Sequence, residues 1–134
     1  MKQFPLKIVT PDGLEFEGQV ESLIVRTITG DLGILAGHIN CAIPLGMGRA
    51  TVVAEGQRRH AACIGGMVSV IDGKVTLMPT TFEWAEDIDL ARAERAYKRA
   101  EEIINRKSTN ETDIRMAQAR IRRALVRKSV AQTK

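Results

Sequence analysis

Glycine and proline stop at Pro79. The 11 glycines and 4 prolines all fall in residues 1–79, and residues 80–134 hold none. This boundary constrains the fold more than any other feature, because glycine and proline punctuate turns and are costly inside helices. The front of the chain is predicted to be short strands with frequent turns. The back is predicted to be helical.

The strand pattern in the front is legible segment by segment. Leu6, Ile8 and Thr10 alternate with Lys7 and Val9 before a turn at Pro11-Asp12-Gly13. Leu14-Glu15-Phe16-Glu17 alternates apolar and acidic, as a half-buried strand should, and Leu23–Ile28 is β-branched and reads as more buried. Gly46-Met47-Gly48, Glu55-Gly56 and Gly65-Gly66 mark further turns. Asp72-Gly73 separates two alternating runs, 67–71 and 74–78. A two-residue primed turn needs positive φ at both centres, which makes Asp-Gly a strong hairpin signal. Many short strands without an intervening helix predict a β-sandwich or flattened barrel.

From Glu83 onward Ala, Arg and Glu dominate. Asp89 is placed to cap a helix in which Ala93, Ala96, Tyr97, Ala100, Ile103 and Ile104 share one face, with Arg92, Arg95, Arg99 and Arg106 on a neighbouring stripe. The polar link 107–110 breaks the pattern. Ser108 with Glu111, or Asn110 with Asp113, is suited to cap a second helix with the apolar stripe Ile114, Ala117, Ile121 and Ala124. The expected architecture is α+β: a β-sandwich over residues 1–86, then an antiparallel two-helix hairpin over 87–134. An alanine contact face buries little area per residue, so the hairpin is expected to close weakly and open easily.

Charge follows the same division. Residues 1–86 carry 7 Lys and Arg against 9 Asp and Glu, whereas residues 87–134 carry 13 against 7. A basic appendage on a nearly neutral domain suits an acidic partner, an anionic ligand or nucleic acid. No apolar run approaches the roughly 20 residues of a membrane span, and the N-terminus lacks the apolar region of a secretory signal. Cys41 and Cys63 sit among apolar neighbours without paired zinc spacing, and read as buried small hydrophobes.

Two constellations remain. Residues 30–38, GDLGILAGH, hold three glycines, too many for a helix, in a stretch too irregular for a plain strand. They match no phosphate-loop or dinucleotide fingerprint; His38 has no nearby metal-ligand partner, His60 lies in a polar-to-apolar strand stretch, and no Ser-His-Asp or Cys-His arrangement stands out. Either a glycine-supported turn folding an apolar edge onto the sheet, or a shaped contact loop anchored by Asp31 and His38, fits the pattern. The second constellation is Ile88-Asp89-Leu90-Ala91-Arg92-Ala93. Asp89 and Arg92 are helix neighbours, so an N-cap with a surface ion pair accounts for them. Alternatively, in a closed hairpin Arg92 and Arg99 converge with Arg123 and Arg127 around a shared anion, since guanidinium forks bind phosphate oxygens bidentately.

The chain resembles the epsilon subunit family of bacterial F-type ATP synthases over essentially its full length. The resemblance is carried by Gly30-Asp31-Leu32-Gly33-Ile34-Leu35-x-Gly37-His38, Gly65-Gly66, Ile88-Asp89-x-x-Arg92-Ala93 and Ala117-Gln118-x-x-Ile121-x-Arg123-Ala124. It implies a non-catalytic rotor subunit whose sandwich sits on the gamma subunit and touches the c-ring through the Asp31–His38 region. It further implies a hairpin that opens along gamma toward the alpha and beta catalytic subunits and inhibits ATP hydrolysis. The basic second helix, with Arg115, Arg120, Arg122, Arg123 and Arg127, is the inhibitory element in that state. In Bacillus-like members the closed hairpin binds ATP as a regulatory ligand, with no cofactor required and no metal-ligating residue assigned. The positions here that match are Glu83, Ile88, Asp89, Arg92, Ala93, Arg99, Arg123 and Arg127. The implied location is the cytoplasmic face of the bacterial cell membrane, as a peripheral part of the complex. The family usually carries proline just before the Gly-His pair and again two residues after the histidine, where this chain has Ala36 and Asn40. The second-helix arginines align after one extra residue in the link. The alternative reading, a nucleic-acid-binding module using the basic hairpin, is disfavoured by the scarcity of aromatics and the lack of a base-reading motif. A free-standing enzyme lacks a catalytic constellation.

Overall fold

The computed structural model describes residues 2–106 and 110–133. It divides into two compact units, Met1–Trp84 and Ala85–Lys134. The first is all β: β1 (Phe4–Thr10), β2 (Gly13–Val20), β3 (Ser22–Thr27), β4 (Gly30–Leu35), β5 (Cys41–Pro44), β6 (Met47–Ala54), β7 (Gln57–Ile64), β8 (Met67–Ile71), β9 (Lys74–Met78) and β10 (Thr81–Trp84). They form two five-stranded sheets, ordered β2-β1-β9-β8-β5 and β10-β7-β6-β3-β4. All pairings are antiparallel except β1 with β9. A β-sandwich is therefore the observed architecture of the front of the chain.

Period-two alternation places the core. Phe4, Leu6 and Ile8 of β1, Leu23 and Val25 of β3, and Leu77 of β9 are buried and pack into one cluster drawn wholly from residues 4–84. The second strand departs from the simple alternation, because Leu14 is 58% exposed. The cause is a bulge between Ile8 and Val9: Phe16 pairs with Ile8 and packs on the core, whereas Leu14 pairs with the outward-facing Val9. The 72–73 hairpin has the expected primed geometry, with φ of 49° at Asp72 and 81° at Gly73.

Both cysteines are free. Cys63 is buried and Cys41 only half-buried, so the expectation of two buried thiols holds for one of them. Burial pushes the Cys63 thiol up to about 12. A thiol held protonated and out of solvent does not react. Titration with an aromatic disulfide reagent near neutral pH is therefore expected to label one cysteine in the native protein, with the second released only by denaturant. Rapid labelling of both would contradict the burial of Cys63.

The second unit opens with a single 3₁₀ turn, Ala85–Asp87, followed by α1 (Leu90–Asn105) and α2 (Glu111–Ala131). Asp89 caps α1 by accepting the Arg92 backbone N–H at 3.0 Å. Asn110 caps α2 by accepting the Asp113 N–H at 2.8 Å. The other capping candidate, Ser108, lies outside the described residues. Ala93 and Ala100 on α1, and Ala117, Ala124 and Ala131 on α2, are buried at intervals of seven. That spacing keeps one stripe of small side chains on each helix.

Candidate functional site

The Gly30–His38 segment is mostly not a loop. Gly30–Leu35 forms β4, pairing residue by residue with β3 from Thr27↔Gly30 to Ser22↔Leu35. β4 is the last strand of its sheet, and an edge tolerates glycine where a central strand needs a packing side chain. Only the end turns: Gly37 has φ of +85° and the His38 N–H donates to Leu35 O at 3.2 Å. Asp31 lies opposite Arg26 in the ladder, and the Arg26 Nε donates to Asp31 Oδ1 at 2.6 Å. That bond and the carboxylate's charge raise the Arg26 pKa above its ordinary value. His38 Nδ1 sits 2.9 Å from Ile39 O and 3.9 Å from Cys41 Sγ.

The loop that follows is tied down by Asn40. Asn40 Oδ1 accepts the Asp72 backbone N–H at 2.8 Å, and its Nδ2 lies 3.5 Å from Asp72 Oδ1. Asn40 thus anchors the 36–40 loop to the β8–β9 turn through its side chain. His60 lies in β7, 3.0 Å from Thr51 Oγ1. Its pKa is lowered, by burial first and then by Arg49 and Arg58. Among the described residues no group of three or more His, Cys, Asp or Glu is arranged to hold a metal.

The hairpin holds the more chemical site. A cleft of about 390 Å³ between α1 and α2 is lined by Ala96, Arg99, Ala100, Arg120, Arg123 and Arg127. The alanines let the helices approach and leave the guanidinium groups as the rim. No carboxylate lines this cleft, and Arg99, Arg120 and Arg123 make no ion pair with a described residue. Arg120, Arg123 and Arg127 meet there because spacings of three and four return to one helix face. Clustered cations that repel one another are relieved by a shared anion, and guanidinium forks suit phosphate.

The structure thus brings together Arg99, Arg123 and Arg127 and adds Arg120. Arg92 does not line this cleft. It is exposed in the first turn of α1, seven residues and about 10 Å along the axis from Arg99. Asp89 is the α1 cap, Ile88 is buried in the segment before it, and Ala93 is buried on α1. Glu83 lies in the edge strand β10, paired with Ala62. On α2, Arg115 pairs with Glu111 at 3.2 Å, and Arg122 is exposed. Lys128 stands 5.3 Å from the Tyr97 ring centroid, a cation–π contact between the helices that sequence reading did not single out. A lysine and a tyrosine on different helices give no pattern until the helices are in register.

Fold and cleft together define a class: a β-sandwich carrying a basic helical hairpin with an arginine-lined, acid-free cleft. The chain belongs to the ATP synthase delta/epsilon chain family, whose beta-sandwich domain matches residues 3–85 and whose long alpha-helix domain matches residues 86–132. It is 43% identical to the ATP synthase epsilon chain of Bacillus velezensis over 98% of both chains. It is 44% identical to that of Bacillus subtilis over 86% of each. In fold it is similar to a chain of the Euglena gracilis mitochondrial ATP synthase, with a TM-score of 0.81 at 24% identity, covering 98% of this chain and 82% of that one. No described helix is long and apolar enough to cross a membrane.

Proposed function

We propose that the chain is a non-catalytic central-stalk subunit of a proton-translocating F-type ATP synthase, and that its hairpin is an ATP-responsive brake on hydrolysis. The observation that carries the reading is the match to ATP synthase epsilon chains along both domains. The sandwich, with Asp31 and His38 at one edge strand and its turn, is the docking base toward gamma and the c-ring. Two fold neighbours belong to solved assemblies described as containing the c-ring. The chain works at the cytoplasmic face of the cell membrane through its partners.

Regulation follows from the hairpin's chemistry. Alanine stripes hold α1 and α2 together with little buried area, so closure is weak by itself. An anion shared by Arg99, Arg123 and Arg127 adds free energy to the closed form alone, and mass action then shifts the population toward it. Without ATP, the hairpin opens and offers its basic second helix, including Arg115, Arg120, Arg122, Arg123 and Arg127, to the alpha and beta subunits. Asp89 and Arg92 extend the nucleotide site to the start of α1.

Calorimetric titration of the isolated chain with ATP tests this. Charge-assisted hydrogen bonds contribute about 1.5–3 kcal/mol each, so Arg99→Ala/Arg123→Ala is expected to weaken binding by at least about a hundredfold. Asp89→Ala/Arg92→Ala is expected to weaken it about tenfold or more with the fold intact. Absence of binding at millimolar ATP would remove the nucleotide-sensing part of the reading and leave the stalk assignment in place.

A further inference from the structure

The arginine cleft has a neighbour. A second cleft of about 250 Å³ lies toward the hairpin's tip and is lined by Ile103, Arg106, Asp113, Met116 and Arg120. Arg120 lines both clefts, so the two are neighbours on either side of one guanidinium group. From Arg99 to Arg106 the first helix rises seven residues, about 10 Å, so the second cleft extends toward the tip beyond Arg99.

The second lining differs in kind from the first. The first is arginine and alanine only. The second has two apolar side chains, two guanidinium groups and one carboxylate. Met116 is 51% exposed, an unbranched apolar side chain left in solvent beside the half-buried Ile103. Such a mixture suits a planar heterocycle better than another phosphate. Ile103 and Met116 offer apolar contact to ring faces, and methionine adapts to irregular shapes. A guanidinium stacks on an aromatic face and also donates to ring nitrogens and carbonyls. A carboxylate accepts from an exocyclic amine, whereas beside a phosphate it would repel.

Resting on the nucleotide reading above, we propose that the second cleft is a nucleobase subsite, so that the hairpin groove takes a dinucleoside polyphosphate. One nucleoside lies toward Asp89, the phosphates lie along Arg99, Arg120, Arg123 and Arg127, and the second base lies between Ile103 and Met116 with Asp113 at its edge. Such a ligand joins both helices at two points. It would hold the hairpin closed more firmly than a mononucleotide that fills the first cleft alone.

The test titrates the full chain with ATP and with diadenosine tetraphosphate, in the wild type and in Asp113→Asn/Met116→Ala. The expected result is binding of the dinucleotide about tenfold tighter than ATP or better. In the double variant this advantage is lost while ATP affinity stays unchanged. Binding of ATP with no advantage for the dinucleotide, or an advantage that survives the double substitution, overturns the second subsite and leaves the nucleotide cleft standing. Binding of the dinucleotide without measurable ATP binding supports the two-subsite groove and removes ATP as the regulatory ligand. Binding of neither overturns both readings. Helical circular dichroism of the variant, matched to the wild type, separates a lost subsite from a lost fold.

Discussion

Replacing Gly66 by alanine is expected to abolish stable folding of the sandwich. Gly66 has φ of +91°, a conformation an L side chain rarely adopts. A Cβ built there falls onto the Met78 carbonyl oxygen and within 2.7 Å of Pro79 Cα. Both obstacles are backbone, so no rotamer change relieves them. The surrounding chain is also committed: Gly66 O accepts the Leu45 N–H at 2.9 Å, Gly65 N–H donates to Gly46 O at 3.0 Å, and Gly65 O accepts from Thr80. Moving the turn away from Met78 breaks this set. Positive-φ strain costs about 1–2 kcal/mol by itself, and the clash and lost bonds add to it. The total, about 4 kcal/mol or more, is comparable with the whole stability of a small domain. Emission of the single tryptophan, Trp84, packed edge-to-face with Phe82 at 4.9 Å, reports the outcome. A native-like melting transition in Gly66→Ala would show that the turn can move.

The second large effect is expected at Leu23. Its side chain is fully buried in the sandwich core, on β3, which is flanked by β4 and β6. Truncation to alanine removes apolar area and leaves a cavity that neighbours paired on both sides cannot collapse into. Buried Leu→Ala changes cost about 2–5 kcal/mol. The central position predicts the upper half of that range, about 3–5 kcal/mol, read from urea melts followed at Trp84. The exposed Leu14, truncated in the same way, is expected to change stability by less than about 1 kcal/mol. Equal losses at the two positions would contradict the bulge that turns Leu14 outward.

Much of this fold could be read from local chemistry. The end of glycine and proline at Pro79 marked the change from strands to helices to within one strand, because those residues act on the backbone directly; β10 (Thr81–Trp84) still follows it before α1 begins at Leu90. Asp72-Gly73 and the caps Asp89 and Asn110 were legible for the same reason. Edge position was not. Gly30 and Gly33 lower the strand signal of β4, and only the ladder with β3 restores it. Nor could sequence reveal the bulge after Ile8, a single-residue slip that reverses the facing of Leu14. In the hairpin, each helix's arginine stripe was readable on its own. Which arginines meet depends on how α2 lies against α1, and this brought Arg120 into the cleft and left Arg92 outside it. In sequence, Ile103 is an ordinary apolar position of the first helix and Met116 falls outside the second helix's apolar stripe. Their place beside Arg106 and Asp113 arises only from pairing two helices in register.

The measurement that bears most directly on the account is ATP hydrolysis by the synthase's catalytic head, purified without its own epsilon subunit and reconstituted either with the full chain or with residues 1–86. The account predicts that the full chain inhibits hydrolysis, that raising ATP before assembly relieves the inhibition, and that residues 1–86 bind the complex without inhibiting it. Equal inhibition by residues 1–86 would place the brake in the sandwich and contradict the regulatory role of the hairpin.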